Sequence, residues 1–236
     1  MEYKFKPIGI IHSCFKENFG IPRQPGIVSE AGAILELYPP YASKEALRGL
    51  EGFSHIWVVF IFHALKKKGW KATIRPPRLG GNKRIGVFAS RSPFRPNPIG
   101  LSAVEIEDII KKNEKAFIHL KGVDFLDNTP VLDIKPYIAY GDSIPEAECS
   151  FAKRPPTPSM EIVFSHEASL SCESLKEKHP ALKKLIAQIL EYDPRPSYYP
   201  KKSKRSTFGV KLFDLDIKWE VKENTATVTV IEKVVK

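Results

Sequence analysis

Cysteine is scarce in this chain of 236 residues, which contains only Cys14, Cys149 and Cys172. The three are odd in number and far apart, a pattern that fits neither a disulfide framework nor a zinc cluster. We therefore expect reduced thiols without a chemical role.

Histidine pairs with metal-ligand spacing are also missing, because no His-X-His or His-X-X-X-His occurs. A metal hydrolase remains a rival hypothesis, since its ligands can be drawn from His12, His55, His63, Asp124, Asp127 and Asp133. Eight strand residues separate His55 from His63 by about 26 Å, too far to share an ion. Asp127 is better explained as the residue that caps the amides of a turn. We predict no metal site.

Long apolar runs are absent as well. None approaches the ~20 residues that cross a bilayer. The N-terminus MEYKFKPIGI carries charges and a strand-like alternation instead of a signal peptide. We expect a cytoplasmic protein that does not enter a membrane.

No acidic side chain occurs in the 53 residues between Glu51 and Glu105, which carry ten Lys or Arg. Cations without internal counter-charges attract an anionic partner, and phosphate chains are the commonest one. The alternative is a solvated surface whose acids come from elsewhere in the fold. The net charge of +10 is shared evenly by the two parts of the chain, so the clustering is the signal.

A proline-rich loop lies within this basic stretch, where residues 91–100 are RSPFRPNPIG. Its three prolines fix φ and restrict the residues before them, which holds Arg91 and Arg95 on a stiff, extended loop. Together with PRQPG at 22–26, it is typical of loops that line a small-ligand pocket. A rigid loop that serves packing alone is the alternative.

The first two thirds of the chain predict a mainly β domain. Short apolar or alternating runs are separated by Pro, Gly and Asn at 3–12, 33–38, 53–62, 84–90, 101–110, 116–123 and 131–138. No amphipathic helix alternates with them and no strand-linked GxGxxG is present, which disfavours a doubly wound or Rossmann-type sheet. We predict a closed or nearly closed barrel over 1–146, with one short helix at 41–50.

The remainder predicts a proline-rich linker and a second, smaller domain. Residues 147–160 include Pro155, Pro156 and Pro158 and few apolar residues. In 161–236, Ser165 is positioned to cap a helix to about His179, Pro180 suits the first turn of a second helix that ends before Pro194, and a strand pair follows near 208–221 and 225–234. We predict a small α+β C-terminal domain.

Five motifs occur in an order found in a known family: PRQPG at 22–26, RPPRLGGN at 75–82, GVFASRSPFRPNPIGLS at 86–102, DFLDNTPVLDIKPY at 124–137 and YDPRPSY at 192–198. Over nearly the whole chain they resemble the TsaA/TrmO family of tRNA methyltransferases. The resemblance implies a β-barrel that binds S-adenosylmethionine, and a homodimer with the donor pocket near the subunit contact. It also implies methylation of N6 of threonylcarbamoyl-adenosine at position 37, next to the anticodon of threonine tRNA. Asn128 stands where relatives often have Gly, and Asn tolerates the same turn.

The resemblance also assigns the residues that contact the methyl donor. They are Gln24, Pro25 and Gly26, then Phe62, His63 and Ala64, then Arg91 and Leu101, and finally Lys121, Gly122, Val123 and Asp124. Arg91 is expected to fix the donor and residues 121–124 to close the pocket. His63 also has an ordinary explanation, because it shares strand parity with Trp57, Val59 and Ile61.

Contacts with the anticodon loop of tRNA are expected from the proline-rich loop and from the C-terminal motif. The residues are Arg95, Asp193, Arg195, Tyr198, Lys201, Lys202, Lys204 and Arg205. No acid occurs from Pro194 to Phe213, and cations beside tyrosines are suited to phosphates and unpaired bases. A solvated lysine-rich loop is the alternative.

The general base is left open by the sequence. Asp193 and Tyr198 are candidates by family position, and Asp124 or Asp127 by chemistry, although each also suits a structural turn. A non-catalytic RNA-binding module is the second rival hypothesis, because basic charge alone does not separate it from an enzyme.

Overall fold

The strands form a barrel and a separate four-stranded sheet in the structure, a computed structural model that describes residues 2–65, 69–195 and 207–234. The barrel strands are β1 (Gly9–Ser13), β2 (Gly32–Leu37), β3 (His55–Ile61), β6 (Ile99–Lys112), β7 (Lys115–Lys121) and β8 (Thr129–Pro136). A two-stranded piece outside the barrel contains β4 (Thr73–Ile74) and β5 (Ile85–Gly86). A short helix α1 (Ala139–Asp142) follows the barrel.

The barrel is closed in the order β1-β2-β7-β6-β3-β8, with antiparallel pairing throughout. Closure is visible at Gly9, which pairs with Leu37 of β2 on one side and with Val131 of β8 on the other. Alternate residues along the strands point inward and are fully buried, as Ile11 and Leu35 show. The predicted mainly β fold with a closed barrel is confirmed.

Residues 62–98 leave the barrel between β3 and β6 and form the basic excursion. Its two ends meet where the Phe62 N–H donates to the Pro98 carbonyl at 2.8 Å. Inside it, the Lys71 N–H donates to the Phe94 carbonyl at 3.0 Å, and the Val87 N–H to the Ala72 carbonyl at 3.0 Å. The described parts of the excursion are therefore held together by main-chain hydrogen bonds.

The C-terminal unit contains β9 (Glu161–Phe164), α2 (His166–Ser174), α3 (Leu182–Glu191), β10 (Thr207–Leu212), β11 (Leu215–Lys222) and β12 (Thr225–Lys233). Its sheet has the order β10-β11-β12-β9, with β9 parallel to β12. The Ser165 side chain accepts the Ala168 N–H at 3.1 Å and caps α2 as predicted. The apolar stripe of α3, with Leu185 and Ile189, is buried.

Residues 14–30 connect the barrel to the C-terminal unit. Near the start of this segment, the Phe213 N–H donates to the Cys14 carbonyl at 2.7 Å, and Phe19 stacks on Trp219 with ring centroids 6.0 Å apart. Near its end, the Glu30 N–H donates to Gln188 Oε1 at 3.0 Å. Buried side chains of both parts belong to one continuous hydrophobic core.

Several predicted elements differ from the structure. Residues 41–50 form turns instead of a helix, and the segment ends at Gly49, which has φ of 87°. The predicted strand at 84–90 is reduced to β5, because a tight turn, Val87–Ala89, follows at once. Of the predicted strand at 3–12, only the part from Gly9 onward is β structure.

The C-terminal elements were also incompletely predicted. β9 was missed because four residues after a proline-rich segment give too short a pattern. The predicted strand at 208–221 is a hairpin, since Phe213 with φ of 57° turns the chain between β10 and β11. Pro180 precedes the second helix, which begins at Leu182.

Candidate active site

Two glycine-containing turns meet at one end of the barrel. The Gly26 N–H donates to the Gly122 carbonyl at 2.8 Å. Gly122 follows β7 with φ of 65°, and a Cβ there would lie 3.3 Å from Gly26 Cα. Glycine at 122 therefore permits both the turn and the close approach of two main chains. The segments 22–26 and 121–124 form a common wall.

Arg91 connects the proline-rich loop to this wall. Its Nη1 donates to Gln24 Oε1, and the Gln24 amide nitrogen donates to the carbonyl of Arg23. Both ends of the Gln24 amide are thus in use, which fixes its orientation. The Arg91 side chain is exposed, so its remaining N–H groups are accessible to an anionic ligand.

Asp124 supplies a buried carboxyl group behind Arg91. Its Oδ1 is buried and has no hydrogen-bond partner among the described residues. Burial raises the pKa of Asp124 to about 6, against smaller lowering effects from the Ser102 hydroxyl, from its own main-chain N–H and from the charge of Arg91. A buried, unpartnered carboxylate oxygen is costly and calls for a donor or a cation from a ligand.

Phe62 and its neighbours form an apolar wall beside these groups. The Phe60 ring packs edge-on against Phe62 and Phe125, with centroids 5.0 Å apart in each pair. It also covers Gly100, where a Cβ would lie 2.2 Å from the ring. Any larger residue at 100 would displace this ring. Leu101, next to it on β6, is 52% exposed.

The other predicted donor contacts have mixed surroundings. His63 Nδ1 lies 3.5 Å from Thr129 Oγ1, in the turn His63–Leu65 that also contains the exposed Ala64. Lys121 pairs with Glu107 at 3.7 Å. Val123 is fully buried and its N–H donates to the Ala31 carbonyl at 3.1 Å, so Val123 supports the wall from behind.

The basic excursion has few counter-charges. In the part of the chain that the structure describes, none of its cations forms an ion pair with a carboxylate; these are Lys71, Arg75, Arg78, Lys83, Arg84, Arg91 and Arg95. The alternative in which acids from elsewhere neutralise the stretch is therefore not realised among these residues. The excursion presents positive charge next to the wall.

Two family models match the chain. The tRNA-methyltransferase O N-terminal domain matches residues 10–143, and the TrmO C-terminal domain matches residues 157–234. The chain belongs to the tRNA-methyltransferase O family. The resemblance inferred from the five motifs is thus confirmed.

Relatives of the TrmO family cover almost the whole chain. The tRNA (adenine(37)-N6)-methyltransferase of Escherichia coli is 43% identical over 93% of each chain. A relative from Pseudomonas aeruginosa, named as the S-adenosylmethionine-dependent methyltransferase RcsF, is also 43% identical over 93% of each chain. The crystal structure of TrmO from Pseudomonas aeruginosa superposes with a TM-score of 0.80 at 36% identity, covering 98% of this chain and 99% of that one.

One feature of the motif at 124–137 agrees with the sequence interpretation, because Asn128 has φ of 61° and Asn tolerates this left-handed turn. Asp127 differs from the prediction. It accepts the Ser13 N–H of β1 at 2.9 Å and pairs with Lys16 at 2.7 Å, so it joins this turn to the first strand and does not cap the turn's own amides. Both oxygens of Asp127 are in use.

The residues predicted to contact tRNA are only partly described. Arg95 Nη1 donates to the carbonyls of Ser90 at 2.8 Å and Val87 at 3.2 Å, so this guanidinium braces the excursion. Asp193 and Arg195 form a bidentate pair at 2.7 and 2.8 Å. The other predicted contacts, Tyr198, Lys201, Lys202, Lys204 and Arg205, lie outside the described residues.

One open cleft lies away from this site. It has a volume of about 470 Å³ on the outer face of β3 and β8, where Trp57, Lys135 and Tyr140 line it, and it contains none of the predicted donor residues. Among the described residues no cluster of three His, Cys, Asp or Glu has metal-binding geometry. No helix in the described ranges is long and apolar enough to cross a bilayer.

Sequence reasoning missed two groups of residues. Ser102 was not predicted, although its place among inward-facing β6 residues is detectable as a polar residue in an apolar alternation. Gln188 of α3, which supports residues 29 and 30, left no signal, because its partners are 158 and 159 positions away.

Proposed function

We propose that this protein is an S-adenosylmethionine-dependent tRNA methyltransferase that acts on N6 of adenosine 37, with threonylcarbamoyl-adenosine of threonine tRNA as the substrate nucleoside. The observation that carries the proposal is the convergence of Gln24, Gly26, Arg91, Gly122 and Asp124 at one end of the barrel. Adenosine 37 is the target named for the Escherichia coli relative. The threonylcarbamoyl group on that adenosine is inferred from the resemblance of the motifs.

The residues present fit the methyl donor. The exposed Arg91 guanidinium is suited to the donor's carboxylate, and the orphaned Asp124 Oδ1 to a hydroxyl or ammonium group. Phe62 and Leu101 provide apolar surface for the adenine. Because Gly26 and Gly122 have no side chains, the donor can approach their main chains closely. When bound, the donor supplies an electrophilic methyl group on a sulfonium.

The protein's contribution to the transfer is positioning and proton removal. The attacking exocyclic nitrogen has to lose a proton, so a general base is required within hydrogen-bond reach of it or one water away. Asp127 is engaged by Lys16 and the Ser13 amide, which favours a structural role. Arg195 engages both oxygens of Asp193 in the same way. Asp124 is therefore the favoured candidate for the base among the described residues, and Tyr198, the other candidate, lies outside them.

Substrate RNA is proposed to bind across the basic excursion and the C-terminal unit. We propose that residues 161–236 form the tRNA-contacting domain, joined to the barrel domain, 1–146, by the linker 147–160. An unpaired anticodon-loop base is inserted between the two with little unstacking cost. Such a substrate places the protein in the cytoplasm.

The proposed enzyme is a homodimer. β6 and β3 carry an exposed apolar strip, in which Ile99 is 40% and Leu101 is 52% exposed. Ile99 pairs with Ile61 and Leu101 with Val59 across the two strands, so the strip is continuous on the outer face. A second copy that covers it would bury apolar surface beside the donor contact at Leu101.

Methyl-transfer assays test this function. We expect the purified protein to transfer a labelled methyl group to threonine tRNA that carries threonylcarbamoyl-adenosine, and calorimetry with EDTA present to show saturable S-adenosylmethionine binding. Transfer to tRNA without the threonylcarbamoyl group would contradict the specific substrate. RNA binding without any donor binding, repeated with tRNA added, would support the rival RNA-binding module.

A further inference from the structure

Phe88 is the most exposed aromatic residue among the described residues of the basic excursion, with an exposure of 73%. It lies in the tight turn Val87–Ala89, whose first residue is buried and anchors the turn. The Val87 carbonyl accepts the Ser90 hydroxyl at 2.8 Å and the Ser90 N–H at 3.2 Å. The main chain on both sides of Phe88 is therefore fixed, and its ring projects from a rigid turn.

Arg95 contacts this ring from one side. Its guanidinium carbon lies over the Phe88 ring, 5.5 Å from the centroid, and a cation in this position is attracted to the π electrons. Arg95 Nη1 also donates to the carbonyls of Ser90 at 2.8 Å and Val87 at 3.2 Å, so the guanidinium is tied to the same turn that carries the ring. The contact restrains the ring, and its high exposure leaves the opposite face accessible.

The excursion that carries Phe88 has positive charge without counter-charge. In the part of the chain that the structure describes, its cations form no ion pair with a carboxylate. A second contact between a cation and a ring lies in the same excursion, where Lys71 Nζ is 4.5 Å from the Phe94 ring centroid. A partner suited to this surface therefore needs both a flat apolar face and negative charge.

An unpaired nucleotide has both properties, because its base stacks on aromatic rings and its phosphate attracts cations. A purely apolar partner would withdraw the cations from water without a counter-charge, which is unfavourable. A second copy of this chain, with a net charge of +10, would bring the same uncompensated cations to this face. Single-stranded RNA is the partner that the chemistry of the surface favours.

We propose that Phe88 is a stacking platform for an unpaired base of the RNA substrate, which packs on the face of the ring opposite Arg95. Stacking requires only the π face of a base, so the platform positions the RNA without reading its sequence. Arg91, three residues after Phe88, donates to Gln24 of the donor loop, so a base stacked on Phe88 holds the anticodon loop beside the methyl donor. This inference rests on the proposed function for the choice of RNA as ligand.

Binding of a fluorescent anticodon stem-loop RNA tests the platform without requiring catalysis. Phe88→Ala is expected to lower the affinity about tenfold, as for loss of one stack between a base and a ring. Phe88→Trp keeps an aromatic face and should retain the affinity, whereas Phe88→Leu keeps only an apolar side chain and should lose most of it. The slope of log affinity against log salt should stay the same in all three variants, because no phosphate contact is removed.

Stem-loops that each lack one base of the loop locate the stacked nucleotide. One of these RNAs should bind the wild-type protein about tenfold more weakly than the intact RNA does, yet bind Phe88→Ala as well as the intact RNA does, because the stack is already lost. Losses that multiply at every loop position would overturn the platform. Wild-type RNA affinity in Phe88→Ala would do the same.

Controls separate the platform from other uses of the ring. Tyr140→Ala removes a 93% exposed aromatic residue outside the excursion and should leave RNA affinity unchanged. Phe88→Ala should keep the wild-type urea midpoint and the wild-type affinity for S-adenosylmethionine. Weaker donor binding would overturn the platform and assign the ring to the donor pocket. A change of oligomeric state in sedimentation would overturn it in favour of a subunit contact.

Failure of the proposed function would look different. If the wild-type protein stacks a loop base on Phe88 but transfers no methyl group, the platform stands and the enzyme activity does not. If the wild-type protein methylates tRNA and Phe88→Ala binds the RNA normally, the activity stands and the platform is wrong.

Discussion

Gly26 and Gly122, 96 positions apart in the sequence, are joined by an N–H to carbonyl hydrogen bond of 2.8 Å. This bond locks the PRQPG loop onto the turn that follows β7. Asp124 is only two residues further along the chain. The position of the donor loop relative to the buried carboxyl group therefore depends on how closely two glycines approach.

Gly122→Ala is expected to destabilise the protein and to weaken donor binding. Its left-handed φ of 65° costs an alanine about 1–2 kcal/mol, and the new Cβ would press on Gly26. Gly49→Ala is the matched control, since Gly49 has φ of 87° with no atom within 4 Å of its Cβ position. Urea unfolding should show a loss of stability for both variants, larger for Gly122→Ala because of the contact with Gly26. Calorimetry should show a loss of S-adenosylmethionine affinity for Gly122→Ala alone. Equal donor affinity in the two variants would mean that the contact between Gly26 and Gly122 does not shape the donor site.

Arg91→Ala should lower donor affinity by about tenfold or more, the effect of removing a charge-assisted hydrogen bond. The barrel should stay folded, because the side chain is exposed and its guanidinium donates only to Gln24 among the described residues. Arg84→Ala provides the control, as Arg84 is equally exposed and donates to Thr73 Oγ1 at 3.0 Å. Wild-type donor affinity in folded Arg91→Ala would remove this residue from the site.

Asp124 should make stability depend on pH. Burial raises its pKa from 3.8 to about 6, so the folded state holds this proton more tightly than the unfolded chain. The resulting stabilisation is complete below about pH 4 and is lost as the pH rises through about 6, by at most about 3 kcal/mol. Asp124→Asn should not show this loss. Its stability relative to wild type, from urea unfolding between pH 4 and pH 8, should therefore increase with pH and then level off.

Ser102→Ala tests the cause of the Asp124 shift. The Ser102 hydroxyl lowers the pKa of Asp124, so its removal should move the wild-type transition to higher pH. Carbon-13 NMR of the labelled Asp124 carboxyl group measures this pKa directly. A transition that stays in place, or moves to lower pH, would mean that the hydroxyl does not interact with the ionised carboxylate.

Gln188→Ala should lower the affinity for the methyl donor, although Gln188 lies on α3 in the C-terminal unit, because Gln188 supports residues 29 and 30 just after the donor loop. Gln188 accepts the Glu30 N–H at 3.0 Å and donates to Ser29 Oγ at 2.9 Å, so its loss removes two partly solvated hydrogen bonds at a cost of about 1 kcal/mol. Gln188→Glu keeps the acceptor and should retain most of the stability and donor affinity. Lys183→Ala on the same helix, where Lys183 lies 5.1 Å from the Phe164 ring centroid, should not affect donor binding. Equal donor affinities in all three variants would limit Gln188 to packing.

Replacement of Lys201, Lys202, Lys204 and Arg205 together by Gln should reduce tRNA affinity and make its salt dependence shallower. The reason is the loss of phosphate contacts in a segment without acidic residues. Donor binding should be unchanged. An unchanged salt slope would identify the segment as a solvated surface.

Local sequence patterns predicted the parts of the site that depend on a few neighbouring residues. The prolines around Arg91 predicted a stiff loop, and Ser165 predicted the start of α2. The tight turn at Asn128 was also predictable, because Asn accepts its φ of 61°. The helix at 41–50 was wrong, because this segment forms only isolated turns, in which the Leu47 N–H donates to the Ser43 carbonyl and the Arg48 N–H to the Glu45 carbonyl, each at 3.3 Å.

The sequence by itself determined the β pattern, the uncompensated basic stretch and the family, because these are properties of neighbouring residues and ordered motifs. Only the tertiary structure decided that Gln24 meets Arg91, that Gly26 meets Gly122, and that burial raises the pKa of Asp124. Desolvation and charge interaction depend on distance in space. The fold of the barrel and its loops sets those distances, because it brings together residues that are 67 positions apart, as Gln24 and Arg91 are, or 96 positions apart, as Gly26 and Gly122 are.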